Sequence, residues 1–263
     1  MTKPFTFPFG QPLVKVHQTD TATNKKVFVL GVYASAVHAK WIGADNKEKV
    51  KALAVASEPY IFWHGFNAQE MINSINIPKE LGRLEVPSDK SLNGPSSIAL
   101  DNLFLVPLGF ERKDAWLCDL LPESRVNPSQ RKAIDLHYTP SLIEQYGLAP
   151  ASIPDFDESE IERNAEQRKL EILAELEASG ANTVVLLGDM PIRWFLNGFD
   201  KQYSKLSQFG NTKDTYGQKH PIEINNKMYD VIPLCHPRNA AKLGTYSQIW
   251  ADLHDNWVKT NIQ

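Results

Sequence analysis

The stretch NTVVLLGD, from Asn182 to Asp189, places four consecutive apolar residues between polar ends. A strand with one face in water alternates apolar and polar residues, and this run does not alternate. It therefore predicts a strand that is buried on both faces, which is typical of a parallel sheet covered by helices.

Other apolar runs of this kind stand on both sides of it along the chain. They are KVFVLG (26–31), KALAVAS (51–57), AWLCDLL (115–121) and YDVIPL (229–234). Helical patterns lie between several of them, and strands that alternate with helices predict an α/β fold. We expect a three-layer α/β/α sandwich with a central, mostly parallel sheet, formed by a single domain over residues 1–263.

The segments between the runs carry their own signals. Residues 159–179 have apolar residues at helical spacing, and residues 247–260 repeat that pattern. Asp189 is predicted to cap a further helix. Residues 140–157 contain three prolines and indicate a surface connection, while the polar residues 200–228 predict an excursion or a hairpin before the last strand.

Composition is that of an ordinary globular protein, with 42% hydrophobic and 22% charged residues. The two cysteines, Cys118 and Cys235, lie in apolar runs and form no CxxC pair, so zinc ribbons and cysteine-bound iron–sulfur clusters are excluded. We expect buried thiols, no metal and no cofactor. No apolar run approaches the ~20 residues that span a bilayer, and the N-terminus lacks a signal-peptide core. These features predict a cytoplasmic monomer without membrane contact.

The last apolar run continues as VIPLCHPRNAAK, from Val231 to Lys242. A buried strand is thus followed directly by His236, Arg238 and Asn239. In open α/β sheets, ligands bind outside the carboxyl ends of the strands. These three side chains are therefore candidates for a functional site.

The other four runs also end in polar, aromatic or glycine residues. Five such exits at one end of a sheet predict a pocket, although each residue alone also fits a structural role in the core, a turn or a buried ion pair. The residues at the four exits are Gly31, Tyr33, Ser35 and His38; Glu58, Tyr60, Phe62, Trp63 and His64; Asp119, Arg125 and Asn127; and Gly188 and Asp189.

The order of these motifs resembles that of the uracil-DNA glycosylase superfamily, over most of the chain. The matching segments are LGVYASAVH, EPYIFW, AWLCDLLP, VVLLGDMPIRWFL and CHPRN. They follow one another as the family's glycine loop, stacking aromatic, base-reading strand, LLG strand and His-Pro loop do. The His-Pro loop is a fairly specific motif, whereas each of the other motifs alone is weak evidence for the family. The resemblance implies that family's fold and excision of a base from DNA.

The resemblance also implies a site for a base that has left the duplex. Such a base is held between aromatic faces and hydrogen bonds. Phe62 would be the stacking residue, with Trp63 as the alternative. Asp119, Gly31 and Ser35 would line the rest of the base site.

Catalytic and DNA-binding roles follow in the same way. His236 would stabilise the negative charge that develops on the departing base. The net charge of −3 does not by itself attract DNA, so local cations would have to hold the phosphates. The candidates for contacts with DNA are Arg238, Asn239, Lys40, Arg125 and Lys242.

Two positions depart from the family's pattern. Tyr33 stands where many members have an acid or an amide that positions water, and a tyrosine is a poor base at neutral pH. Asp119 stands where the best-known members have asparagine. An ionised Asp119 offers only hydrogen-bond acceptors, so it would disfavour uracil unless burial keeps it protonated.

Three functions therefore remain open. The first is a DNA glycosylase of altered specificity, and the second is a catalytically silent relative that binds DNA or a nucleotide in the same pocket. The third, and weakest, is a hydrolase that would combine Ser35 or Ser57 with His236 and with Asp119 or Asp189. The chain has no G-x-S-x-G elbow to support this third function.

Overall fold

The structure, a computed structural model, describes residues 4–20 and 22–262. The strands are β1 (Val27–Tyr33), β2 (Ala36–Ile42), β3 (Glu48–Ser57), β4 (Arg83–Glu85), β5 (Ala115–Leu121), β6 (Thr183–Leu187), β7 (His220–Ile224) and β8 (Lys227–Leu234). The helices are α1 (Ala68–Asn73), α2 (Pro95–Ala99), α3 (Pro128–His137), α4 (Pro140–Tyr146), α5 (Glu158–Ser179), α6 (Asp189–Trp194), α7 (Pro237–Ala240) and α8 (Gln248–Asn261). A π-helix spans Leu100–Leu105, and short 3₁₀ helices span Pro8–Gly10, Lys79–Leu81, Arg112–Asp114, Leu196–Gly198 and Leu206–Gln208.

The described chain divides into two compact units, and each contains its own sheet. The three-stranded unit comprises residues 4–16, 33–95 and 122–157. The five-stranded unit comprises residues 17–20, 22–32, 96–121 and 158–262. The expectation of a single domain stays a prediction.

The five-stranded unit has the strand order β5-β1-β6-β8-β7. Strands β1, β6 and β8 are parallel neighbours, whereas β7 runs antiparallel to β8. The protein is thus α/β, with a mixed, mostly parallel five-stranded sheet, as the apolar runs predicted. Four of those runs supply β1, β5, β6 and β8. In β6, Val184 to Leu187 are fully buried, which explains why the run does not alternate.

One run was assigned to the wrong sheet. KALAVAS lies in β3, which pairs antiparallel with β2 in a three-stranded sheet of order β3-β2-β4. Strand β2 (AVHAKWI) escaped prediction because His38 and Lys40 interrupt its apolar residues. Since β2 and β3 are joined by a short turn, β3 pairs with its neighbour in sequence instead of entering a parallel sheet.

The core of the three-stranded unit is built around aromatic side chains. Trp41 is fully buried on β2, and Phe9 packs edge-on against it with ring centroids 5.3 Å apart. Phe9 also meets the ring of Tyr138, which follows α3. The indole N–H of Trp41 donates to the carbonyl of Leu81 at 2.7 Å, so this buried polar group is satisfied.

The helix predictions are partly confirmed. Helix α5 matches residues 159–179, and α8 matches residues 247–260 with Ser247 as its N-cap. The N-cap of α6 is Gly188 and not Asp189, because the Asp189 carboxylate instead accepts the backbone N–H of Leu206 at 2.7 Å.

Two connecting segments had been predicted from their composition. The segment 140–157 is only partly a connection, because it begins with α4, whose first residue is Pro140 and whose N-cap is Thr139. The polar segment 200–228 does end in a hairpin, formed by β7 and β8. Asn225 and Asn226 join these strands with φ angles of 50° and 64°, and this pair of positive angles suits a tight two-residue turn.

Among the described residues, no helix has both the length and the apolar character needed to cross a membrane.

Candidate functional site

The His236 loop begins where β8 leaves the buried sheet. His236 is the N-cap residue of α7, and its Nδ1 accepts the backbone N–H of Arg238 at 3.1 Å. A ring nitrogen that accepts a hydrogen bond carries no proton, so the neutral imidazole carries its proton on Nε2. His236 therefore offers an Nε2–H donor.

The protonation state of His236 follows from its surroundings. The residue is partly buried, and burial lowers the pKa of its imidazole to about 4, with the positive charge of Arg238 acting in the same direction. The side chain is thus neutral at physiological pH. A neutral imidazole still offers an N–H donor, which can stabilise a developing anion through a hydrogen bond.

Gly188 lies against this loop. Its backbone N–H donates to the carbonyl of Leu234 at 2.8 Å, so the ends of β6 and β8 are joined. With φ at 91°, Gly188 adopts a conformation that favours glycine, and an added Cβ would lie 3.5 Å from the Cβ of His236. The prediction that the exits of these two strands meet at one edge is confirmed.

Gly31 lies at the same end of the sheet, within β1. The register pairs Leu30 with Leu186 and Leu186 with Pro233, so Gly31 stands one residue beyond that row. It is buried and remains part of the strand rather than of a loop.

Asp119 lies within β5 and is 4% exposed. Its carboxyl group makes no hydrogen bond or ion pair with any described residue. Burial raises the pKa of this carboxyl to about 7, although the positive charge of Arg168 opposes the rise. The Arg168 guanidinium binds the backbone carbonyl of Asp119 at 2.6 Å and the Sγ of Cys118 at 3.2 Å. Burial thus favours the protonated form of the Asp119 carboxyl.

The three proposed DNA contacts of this unit differ in availability. Arg238 is exposed, and its guanidinium makes no hydrogen bond with the described residues. The Oδ1 of Asn239 accepts the backbone N–H of Ser247 at 2.9 Å, which braces the loop against the start of α8. Lys242 forms an exposed ion pair with Asp255 at 2.8 Å. Arg238 is therefore the cation most accessible to a phosphate.

A buried hydrogen-bond chain supports the start of the His236 loop, and sequence reasoning did not find it. The N–H of Cys235 donates to the Tyr216 hydroxyl at 2.9 Å, and that hydroxyl lies 2.8 Å from Nδ1 of His254. The Nε2 of His254 lies 2.9 Å from the carbonyl of Leu103, which can only accept, so the hydroxyl must donate to Nδ1. Tyr216 lies in the polar segment 200–228, where no local pattern marks it.

Tyr33 and Ser35 belong to the three-stranded unit. The Tyr33 ring packs on Phe156 with centroids 5.3 Å apart. The Ser35 side chain is exposed, while its backbone carbonyl accepts the hydroxyl of Ser124 at 2.7 Å and the N–H of Glu58 at 3.3 Å. Two segments of this unit therefore converge on the backbone of Ser35.

Phe62 and Trp63 take opposite positions in the loop after β3. Trp63 is 2% exposed and belongs to the core, with its backbone N–H on the Glu58 carboxylate at 3.3 Å. Phe62 is partly exposed and has φ at 50°, a strained conformation for a side chain of this size. Trp63 thus belongs to the core, whereas the Phe62 side chain is only partly buried. Strained residues often cluster at functional sites.

The cations proposed for this unit are both engaged. Lys40 pairs with Glu85 at 2.9 Å. The Arg125 side chain is 2% exposed, and it contacts the Glu123 carboxylate at 3.3 Å and the Ser124 carbonyl at 3.1 Å. A guanidinium buried in this way supports the fold and is poorly placed to meet a phosphate.

The remaining chemical alternatives can be weighed against this geometry. A serine-hydrolase triad needs a carboxylate that accepts a hydrogen bond from Nδ1 of the histidine, but Nδ1 of His236 is itself an acceptor. Ser57 is buried, and its hydroxyl is bound to the backbone of Val14.

Both cysteines are buried and free, as predicted. Within residues 4–20 and 22–262, no three histidine, cysteine or acidic side chains are grouped as a metal site.

Comparison with known proteins finds no family model and no curated protein that matches the chain.

Proposed function

We propose that the protein is a DNA base-excision glycosylase, which hydrolyses the N-glycosidic bond of a damaged or deaminated base that has left the helix. The proposal includes a three-layer α/β/α architecture of the uracil-DNA glycosylase type, DNA as the partner, a monomeric state and a cytoplasmic location. A specificity shifted away from uracil is part of it, because Asp119 replaces the amide of the best-known members.

The neutral His236 imidazole at the carboxyl edge of the parallel sheet carries the proposal. In the reaction, the bond between the sugar C1′ and the base nitrogen breaks with its electron pair on the base. The Nε2–H of His236 stabilises the resulting negative charge through a hydrogen bond to a base oxygen. Water adds its hydroxyl to C1′, and its proton ends on the departing base. Arg238 would hold a phosphate beside the loop.

A catalytically silent relative that binds DNA or a nucleotide is the second candidate. The observation that favours it is Tyr33, because a tyrosine is a poor base for water at neutral pH. In that case the same loop would still bind a polyanion through Arg238. Excision activity separates the two candidates.

The test is a panel of labelled single- and double-stranded oligonucleotides, each with one uracil, hypoxanthine, xanthine or mismatched base. Alkali after the incubation cleaves abasic sites. We expect strand breaks with the native protein, a loss of at least about 100-fold in His236→Ala, and native activity in His17→Ala, whose histidine is exposed elsewhere in the same unit. A folded native protein that yields no breaks on any substrate would leave the silent relative.

A further inference from the structure

The loop after β3 carries three aromatic side chains, Tyr60, His64 and Phe66, and each contacts the next. The Tyr60 hydroxyl and Nδ1 of His64 lie 3.3 Å apart. The His64 ring stacks on Phe66 with centroids 5.1 Å apart and only 1° between the ring planes. Phe66 is 82% exposed. A single exposed apolar residue is ordinary on a protein surface, but a ring in a parallel stack calls for a closer look at the loop that carries it.

A second loop packs closely against the backbone on the N-terminal side of Phe66. A Cβ on Gly65 would lie 1.9 Å from the carbonyl oxygen of Asn93, and a Cβ on Gly94 would lie 2.2 Å from the carbonyl carbon of His64. The Asn93 side chain in turn bonds both the N–H and the carbonyl of His38, each at 2.8 Å. The position of Gly65 is thus tied to strand β2.

The chain is held equally firmly around Phe66 by the core. Trp63 is buried, and its indole N–H donates to Oδ1 of Asn67 at 2.8 Å. Helix α1 begins at the next residue, Ala68, which is buried. The Phe66 ring is therefore presented by a fixed backbone, so a ligand that stacks on it loses little free energy in ordering the loop.

The surroundings of Phe66 fit a small flat ligand better than a protein surface. Exposed neighbours in sequence are polar: Asn67, Gln69 and Glu70. Within residues 58–95 of the described chain, Phe66 is the one large apolar side chain with high exposure. A protein interface would surround such an anchor with further apolar residues. A small planar ligand, in contrast, needs only the exposed face of the Phe66 ring in order to stack.

We infer that Tyr60, His64 and Phe66 form a stacking platform that binds an unpaired nucleobase of DNA on the open face of Phe66. This inference rests on the proposed function for the identity of the ligand. Stacking on aromatic side chains tolerates every base, because each base has a flat π face. The platform would therefore bind single-stranded or locally opened DNA without reading its sequence.

Binding of two fluorescein-labelled probes tests the platform without any need for excision. One probe is a 15-residue oligothymidylate, and the other is an abasic deoxyribose-phosphate chain of the same length. We expect the native protein to bind the thymidylate about ten-fold more tightly, and Phe66→Ala to abolish that preference at both low and high salt. Phe66→Trp should retain it, and Leu136→Ala, which removes another exposed apolar side chain of the same unit, should not affect it.

The outcomes separate this inference from the proposed function. Base-dependent binding that is lost in Phe66→Ala supports the platform even if no oligonucleotide is cleaved. Excision with unchanged base preference in Phe66→Ala overturns the platform and leaves the glycosylase. Equal affinity of the native protein for both probes also overturns it, and would leave protein docking as the use of the exposed ring.

Discussion

At the scale of single residues, the carboxyl group of Asp119 has the most unusual environment. It lies in β5, an apolar strand at the edge of the five-stranded sheet, is almost fully buried and has no hydrogen-bond partner among the described residues. A buried charge without a partner is costly, and the group reduces this cost by keeping its proton up to a pH of about 7. A protonated carboxyl offers one donor and one acceptor, whereas the ionised form offers only acceptors.

The substitution Asp119→Asn should stabilise the protein most at high pH. The folded state keeps the proton up to a pH of about 7, whereas the unfolded chain releases it near 3.8, so native stability falls as the pH rises from 4 to 7. This rise in pKa lowers the free energy of unfolding by roughly 4 kcal/mol above pH 7, where the carboxyl is ionised in both states. Urea unfolding should show a gain for Asp119→Asn that is roughly 3 kcal/mol larger at pH 8 than at pH 5.

The exposed Asp214→Asn in the same unit is the control for that experiment, because it removes a carboxyl group at the surface. An equal effect of Asp119→Asn at both pH values would show that the Asp119 carboxyl is ionised throughout this range.

At the scale of elements, the His236 loop is positioned by structure that is remote in sequence. Its first residue, Cys235, is bonded to Tyr216, and Tyr216 is bonded to His254 on α8. The Nε2 of His254 is hydrogen-bonded to the carbonyl of Leu103, which lies in the π-helix. All three side chains are buried, so each hydrogen bond forms in a medium where a lost partner is not replaced by water.

Tyr216→Phe should destabilise the protein by about 2 kcal/mol. The change removes one hydroxyl and leaves the buried N–H of Cys235 and the Nδ1 of His254 unsatisfied. Tyr246→Phe is the matched control, because that hydroxyl makes only a 3.4 Å contact with Gln248 at the surface. Chemical denaturation measures both variants, and similar losses in the two would refute the importance of the buried chain.

At the scale of the whole molecule, each unit contains a buried neutral histidine. His38 lies in the three-stranded unit and His254 in the five-stranded unit. Burial lowers the pKa of each imidazole to about 4, from an ordinary value of 6.5. The unfolded chain therefore takes up protons between pH 6.5 and 4 that the folded chain does not. The stability that each of these histidines contributes is complete above pH 6.5 and declines as the pH falls toward 4.

Between pH 7 and pH 5 the three-stranded unit should lose about 2 kcal/mol of stability from His38, and the five-stranded unit should lose more, because His236 contributes in addition to His254. Hydrogen exchange of backbone amides in β2 and in β8 would follow the two units separately. The measurement on β8 belongs in the Asp119→Asn variant, because Asp119 has the opposite pH dependence. A stability that is constant from pH 7 to pH 5 would contradict the burial of neutral histidines, and His17→Ala should behave as the native protein does.

The sequence predicts a structural feature well when that feature depends on residues that are close together in the chain. The apolar runs of β1, β5, β6 and β8 were recognisable because a strand buried on both faces has few polar residues. The run in β3 was equally apolar, yet it pairs antiparallel with β2, and nothing in its own letters distinguishes the two sheets. The same limit applies to the cations, since Arg125 is buried while Arg238 is open.

By itself the sequence determined the α/β class, the long helix α5 and the place of His236 at the end of a buried strand. These features depend on periodicity and on neighbours within a few residues. Only the tertiary structure decided the tautomer of His236, the lack of a partner for Asp119, the burial of Trp63 and the exposure of Phe66. Those properties depend on which distant segments contact each side chain, and burial and hydrogen bonding arise from these contacts alone.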